Sequence, residues 1–136
     1  MNAAAANEAV ANATIMNRRI LVVEDHVDNR RILRDLLSSR GYDLVEAEDG
    51  EQALAMAEGQ RPALILMDVQ IPLLDGYEVT RRLKADPKLS AIPIIVVTSY
   101  ALSGDESKAR AAGCNAYVSK PYSARKLLAK IQEYVP

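Results

Sequence analysis

The chain has 136 residues, with 17 Lys and Arg against 18 Asp and Glu for a formal charge of -1; that is about one domain, with no excess charge suited to gripping nucleic acid or an anionic membrane. Its single cysteine, Cys114, excludes an internal disulfide, and no Cys/His spacing suggests zinc or redox chemistry. No apolar run approaches the roughly 20 residues of a membrane span, and the N-terminus lacks the charged start and apolar block of a signal peptide, so a cytoplasmic protein is expected.

Residues 1–17 are rich in Ala and Asn, with Val10 and Ile15 as their only large branched residues, and read as an extension ahead of one domain over residues 18–136. From Arg19 onward short apolar runs alternate with helical periods. Ile20–Val23 is a continuous apolar run, as in a strand buried on both faces. In the helix that follows, Asp28 or Asn29 is placed to cap, Ile32, Leu33, Leu36 and Leu37 form the apolar stripe, and Gly41 is the stop. Leu44–Ala47 predicts a second strand, and residues 50–58 carry Ala53, Leu54 and Ala57 at helical spacing. Leu64–Met67 is a third strand; after a Pro72 and Gly76 loop, Tyr77–Ala85 reads as a helix. Ile94–Val97 gives the fourth strand, Asp105–Ala112 a helix stopped by Gly113, and Ala116–Val118 the fifth strand. Ser123 caps a last helix bearing Leu127, Leu128 and Ile131 on one face. With no Phe or Trp available, the core must be built from Leu, Ile, Val, Ala and Met. Strands and helices alternating at this spacing predict an α/β fold, a parallel sheet with right-handed crossovers and helices on both faces. No output module is expected after the last helix.

In an open α/β sheet, ligands bind beyond the carboxyl ends of the strands. Those ends carry Glu24 and Asp25, then Asp68, then Thr98 and Ser99, then Lys120. Each alone could be a residue meeting water. Together they put three carboxylates, two hydroxyls and an ammonium on one rim. Two carboxylates about 4 Å apart repel by roughly 4 kcal/mol at an effective dielectric near 20, so the cluster wants a cation. Mg²⁺ suits it, because it takes oxygen ligands and typically binds one or two carboxylates plus a phosphate. Phosphoryl chemistry is the implication.

Several stretches carry a family resemblance: the Val22-Val23-Glu24-Asp25 end, Leu66-Met67-Asp68-Val69-Gln70-Ile71-Pro72, Asp75-Gly76, Val97-Thr98 and Tyr117-Val118-Ser119-Lys120-Pro121. In order and spacing, from Arg19 to Val135, they resemble receiver domains of two-component response regulators. Residues 111–117 bring the chain nearest to single-domain, DivK-like cell-cycle regulators. The resemblance implies a flavodoxin-like three-layer fold with a five-stranded, doubly wound sheet of order 2-1-3-4-5. It implies Asp68 as the nucleophile that takes a phosphoryl group from a phosphohistidine of a sensor kinase or phosphotransferase. Asp25 and Asp68 would bind Mg²⁺ directly, Gln70 through its backbone carbonyl and Glu24 through water, with Lys120 opposite the metal and a cis Lys120–Pro121 peptide. Thr98 and Tyr117 would carry the switch, reshaping the face of helix four, strand five and helix five for an effector protein. Gln70 and Tyr100 would set the lifetime of the acyl phosphate, bulky Tyr100 shielding it from water.

Other residues read more plainly. His26 is a solvated loop residue and Cys114 a buried small apolar one. Arg30, Arg31 and Arg34 form either a solvated helix face or a docking surface for the phosphodonor. An Mg²⁺-dependent phosphatase of the haloacid dehalogenase type also uses an aspartate nucleophile, but wants a second acid where this chain has Gln70, and the general acid and base is missing. A nucleotide- or flavin-binding domain wants a Gly-rich turn where residues 24–29 have no glycine. An unphosphorylated docking module is the remaining alternative. A switch that is not a turnover enzyme is the expectation.

Overall fold

Five apolar runs become strands in the computed structural model, which describes residues 17–98 and 104–136. The strands are β1 (Arg19–Val23), β2 (Asp43–Ala47), β3 (Leu64–Asp68), β4 (Ile94–Thr98) and β5 (Ala116–Ser119). Between and after them come α1 (Val27–Ser38), α2 (Gly50–Gln60), α3 (Gly76–Ala85), α4 (Asp105–Ala111) and α5 (Ala124–Gln132). All pairings are parallel and the order is β2-β1-β3-β4-β5, as the resemblance implied. Residues 1–16 of the expected extension lie outside the described residues.

The side-chain period of two splits each central strand between two cores. Ile20, Val22, Leu64, Leu66, Ile95 and Val97 face α1 and α5, packing on Leu33, Leu37, Leu127 and Ile131. Leu21, Val23, Ile65, Met67, Ile94 and Val96 face the other three helices, packing on Ala53, Ala57, Val79, Leu83 and Ala109. A chain without Phe or Trp fills both layers with branched aliphatics, and the strands read as continuous apolar runs because both faces are covered.

The ends of the helices follow local chemistry. Asp49, Asp75 and Ser123 cap α2, α3 and α5, each side chain accepting from a backbone N–H three residues on. Gly41, at φ 83°, closes α1: its N–H donates to the Ser38 carbonyl and the Tyr42 N–H to the Leu37 carbonyl. Two expectations for α1 need correction. His26, not Asp28 or Asn29, holds the N-cap position, with no side-chain cap bond, because the helix starts two or three residues earlier, its cap directly after the acidic pair. Ile32 is 63% exposed. The buried stripe is Arg30, Leu33 and Leu37, rotated away from Ile32 so that a guanidinium takes the first core position.

The loop between β3 and α3 is tied at several points. The Leu74 N–H donates to the Pro72 carbonyl at 2.9 Å around Leu73, which sits at φ 72°, a three-residue turn in its strained, positive-φ form. The same Pro72 carbonyl accepts from Gly50 N–H at 3.1 Å, pinning the loop to the start of α2. Leu73 is 69% exposed and has little packing to lose. Leu73→Gly is therefore expected to stabilise the fold by about 1 kcal/mol, relief of the left-handed strain outweighing the added freedom of the unfolded chain. The urea midpoint checks it, and a lower midpoint than the parent's would refute it.

Candidate functional site

β1 and β3 are direct neighbours with Val23 beside Met67, so the residues that follow, Glu24 and Asp68, meet at the carboxyl edge. β4 lies on the other side of β3, with Val97 beside Asp68, and brings Thr98 to the same rim. Lys120 arrives from the end of β5, its N–H donating to the Thr98 carbonyl at 2.7 Å. The Lys120–Pro121 peptide is cis.

One oxygen from each of Glu24, Asp25 and Asp68 lies within 4.8 Å of the others. Glu24 is buried, Asp68 nearly so, and Asp25 opens to solvent. Lys120 Nζ stands 3.6 Å from Glu24 Oε1 and 3.6 Å from Asp68 Oδ2. The Gln70 N–H donates to Asp68 Oδ1 at 3.2 Å. Asn29 Nδ2 donates to Glu24 Oε1 at 2.6 Å. The other Glu24 oxygen, Oε2, is buried and has no hydrogen-bond partner among the described residues. Burial, and then the Asp68 carboxylate beside it, push the Glu24 carboxyl up to about 7, against the pull of Asn29 and Lys120. A buried, unpartnered carboxylate oxygen among three clustered carboxylates fits a hard cation that takes oxygen ligands.

Thr98 is fully buried. It pairs with Ser119 while Val96 pairs with Tyr117, so the period of two sets Thr98 and Tyr117 on the same face of the sheet. Tyr117 is half-buried, packed on the core next to α4, and burial raises its hydroxyl pKa. Tyr77, on α3, reaches the same region: its hydroxyl donates to the Asp105 carbonyl at 3.4 Å, and burial pushes its pKa up to about 12. Ser99 and Tyr100 lie outside the described residues, and with them the shielding role expected of Tyr100. His26 is exposed and Cys114 buried, the thiol pushed up by desolvation, as expected of both.

The arginines of α1 separate. Arg31 and Arg34 are exposed, Arg34 forking onto Glu46 at 2.9 and 3.1 Å. Arg30 belongs to neither expected surface, because it is only 8% exposed and bonds the backbone of the acidic pair itself. Asn29 and Arg30 are the site residues that sequence reasoning missed. A signal was available: Arg30 stands three and seven residues before Leu33 and Leu37, in line with the buried stripe.

Comparison with known proteins agrees with this geometry. The family model "Response regulator receiver domain" matches residues 20–132. The polar-differentiation response regulator DivK of Brucella anthropi is 42% identical over 120 residues, covering 88% of this chain and 98% of that protein; DivK of Brucella ovis matches to the same extent. Among solved structures, the receiver domain of a sensor histidine kinase from Pseudomonas aeruginosa PAO1, with magnesium coordinated in its active-site cleft, superposes with a TM-score of 0.80 at 39% identity, over 86% of this chain and 96% of that one. The Vibrio cholerae chemotaxis protein CheY4 gives a TM-score of 0.79 at 27% identity, over 85% and 97%. The likeness to DivK thus extends from the motifs to most of the chain, and the matched span contains every strand-end residue described above: the chain belongs to the response regulator receiver domains, the phosphorelay switches of two-component signalling.

Proposed function

We propose that Asp68 is the phosphoryl acceptor of this receiver and that Glu24, Asp25, Thr98 and Lys120 serve its chemistry. The observation that carries the reading is the pairing of two environments on one carboxylate, with Lys120 Nζ 3.6 Å from Asp68 Oδ2 and the carboxylates of Glu24 and Asp25 clustered on the same group. An Asp68 oxygen attacks the phosphorus of a phosphohistidine; the P–N bond breaks, its electron pair leaves with the imidazole, and an aspartyl phosphate forms. Lys120 faces the negative charge that gathers on the transferring group. Glu24, Asp25, Asp68 and the Gln70 carbonyl would hold Mg²⁺, which when bound supplies charge neutralisation on the phosphoryl oxygens. The chain in this way assists its own phosphorylation, while the donor, a histidine kinase or phosphotransferase, provides the phosphoryl group.

The readout runs through Thr98 and Tyr117. A new dianion beside the Thr98 hydroxyl favours whichever arrangement brings that hydroxyl to the phosphate, and Tyr117, on the same sheet face, repacks with it. The altered surface of α4, β5 and α5 is what an effector protein reads. No helix of the described residues is long and apolar enough to cross a membrane, and the reading places the protein in the cytoplasm.

Incubation with acetyl phosphate and Mg²⁺, followed by intact mass measurement, tests the proposal. One phosphoryl adduct is expected, absent when a chelator is added. No adduct with Mg²⁺ present would overturn it.

A further inference from the structure

We propose that Arg30 is a positioning residue that holds the Glu24–Asp25 loop in its cation-binding form, anchored at its far end on Glu48; this rests on the reading above that the carboxylate cluster holds Mg²⁺. The last sheet bond of β1 toward β2 is Glu24 N–H to the Ala47 carbonyl, at 3.0 Å. Past that point the chain carries the acidic pair and turns into α1. Arg30 reaches back one helical turn to meet it. Its Nη1 donates to the Glu24 carbonyl at 2.9 Å and to the Asp25 carbonyl at 3.2 Å. Its Nη2 donates to Glu48 Oε1 at 3.0 Å, and its Nε lies 3.5 Å from Glu46 Oε1.

One guanidinium plane thus spans the loop and the end of β2. The planar fork suits this task, because donors on one rigid group fix several acceptors relative to one another, which an ammonium on a flexible stem does not do. The Glu24 carbonyl is buried, and without Arg30 it would have to shift to find a partner. Second partners that orient metal ligands in this way typically change metal affinity by about 10- to 100-fold when removed.

Charge and position predict opposite signs, which makes the proposal decidable. Arg30 is cationic and touches the backbone of the acidic pair, so as a mere charge it repels an incoming cation, and its removal should tighten Mg²⁺ binding. As a strut it preorganises the ligands, and its removal should weaken binding.

The test is calorimetric titration of Mg²⁺ into the metal-free full chain, with amide hydrogen exchange of residues 25–28 measured in parallel. Arg30→Met is expected to bind Mg²⁺ about tenfold more weakly and to exchange those amides faster without metal. Arg30→Lys should fall between it and the parent, and Glu48→Gln should weaken binding by less than Arg30→Met. Equal or tighter binding by Arg30→Met, or unchanged exchange, overturns the proposal. If Arg30→Met does not fold by circular dichroism, unchanged affinity in both Arg30→Lys and Glu48→Gln overturns it instead. Asp25→Asn separates the two readings. If it binds Mg²⁺ like the parent, the metal assignment falls and the positioning role with it; if it loses Mg²⁺ while the Arg30 variants bind normally, only the positioning role falls.

Discussion

Asp68→Asn is expected to end phosphoryl uptake from both acetyl phosphate and a phosphohistidine donor. The amide is neutral and its nitrogen lone pair is delocalised, so neither atom can form the acyl phosphate, and the cluster loses one of its three carboxylates. The same change should raise the melting temperature of the metal-free protein. Asp68 is a principal cause of the raised Glu24 pKa after burial, and removing one of two like charges relieves the other. Loss of function with a gain in stability is the pattern of a site assembled for chemistry at the expense of the fold. Intact mass and thermal melting check the two halves, and an adduct that persists on Asp68→Asn would move the acceptor elsewhere in the chain.

Gly76→Ala should be the most damaging small substitution near the site. A Cβ at Gly76 would overlap the Asp68 carbonyl oxygen and stand 2.8 Å from the Val69 Cα and 2.9 Å from the Asp68 carbonyl carbon. All three are backbone atoms and cannot rotate aside. The approach is held from both ends, by Gly76 N–H on the Val69 carbonyl at 3.0 Å and by Thr80 Oγ1 donating to the Gly76 carbonyl at 2.7 Å. Separating the strands of this loop should cost about 2–4 kcal/mol, read as a lower urea midpoint. Because the displaced backbone is that of Asp68 itself, the phosphorylation rate should fall as well, at temperatures where the variant is still folded. A stable, fully active Gly76→Ala would show that the loop can open without disturbing the acceptor.

The candidate site divides by range. Thr98 and Lys120 were legible because strand ends are marked by where an apolar run stops, and the rim of a parallel sheet collects those ends whatever the details of packing. That Thr98 and Tyr117 share a sheet face depends on the register of β4 against β5, which no local pattern states. Arg30 shows the same limit more sharply. Among three arginines on one short helix, charge alone suggested a surface, and only the placement of the Glu24 and Asp25 carbonyls, together with Glu48 18 residues away across β2, gives the guanidinium a reason to be buried.

The order and type of the elements, the two-sided burial of the central strands and the set of polar residues at their ends could all be read from the chain before it folds. Those are consequences of period and of chain order, which are local properties. Which side of α1 is buried emerges from packing, which leaves Ile32 in solvent and Arg30 beneath the acidic pair. The reason is physical. The rotation of a helix on a sheet is set by the hydrogen bonds and volumes it meets there, and here two backbone carbonyls without sheet partners drew a guanidinium inward in place of an isoleucine.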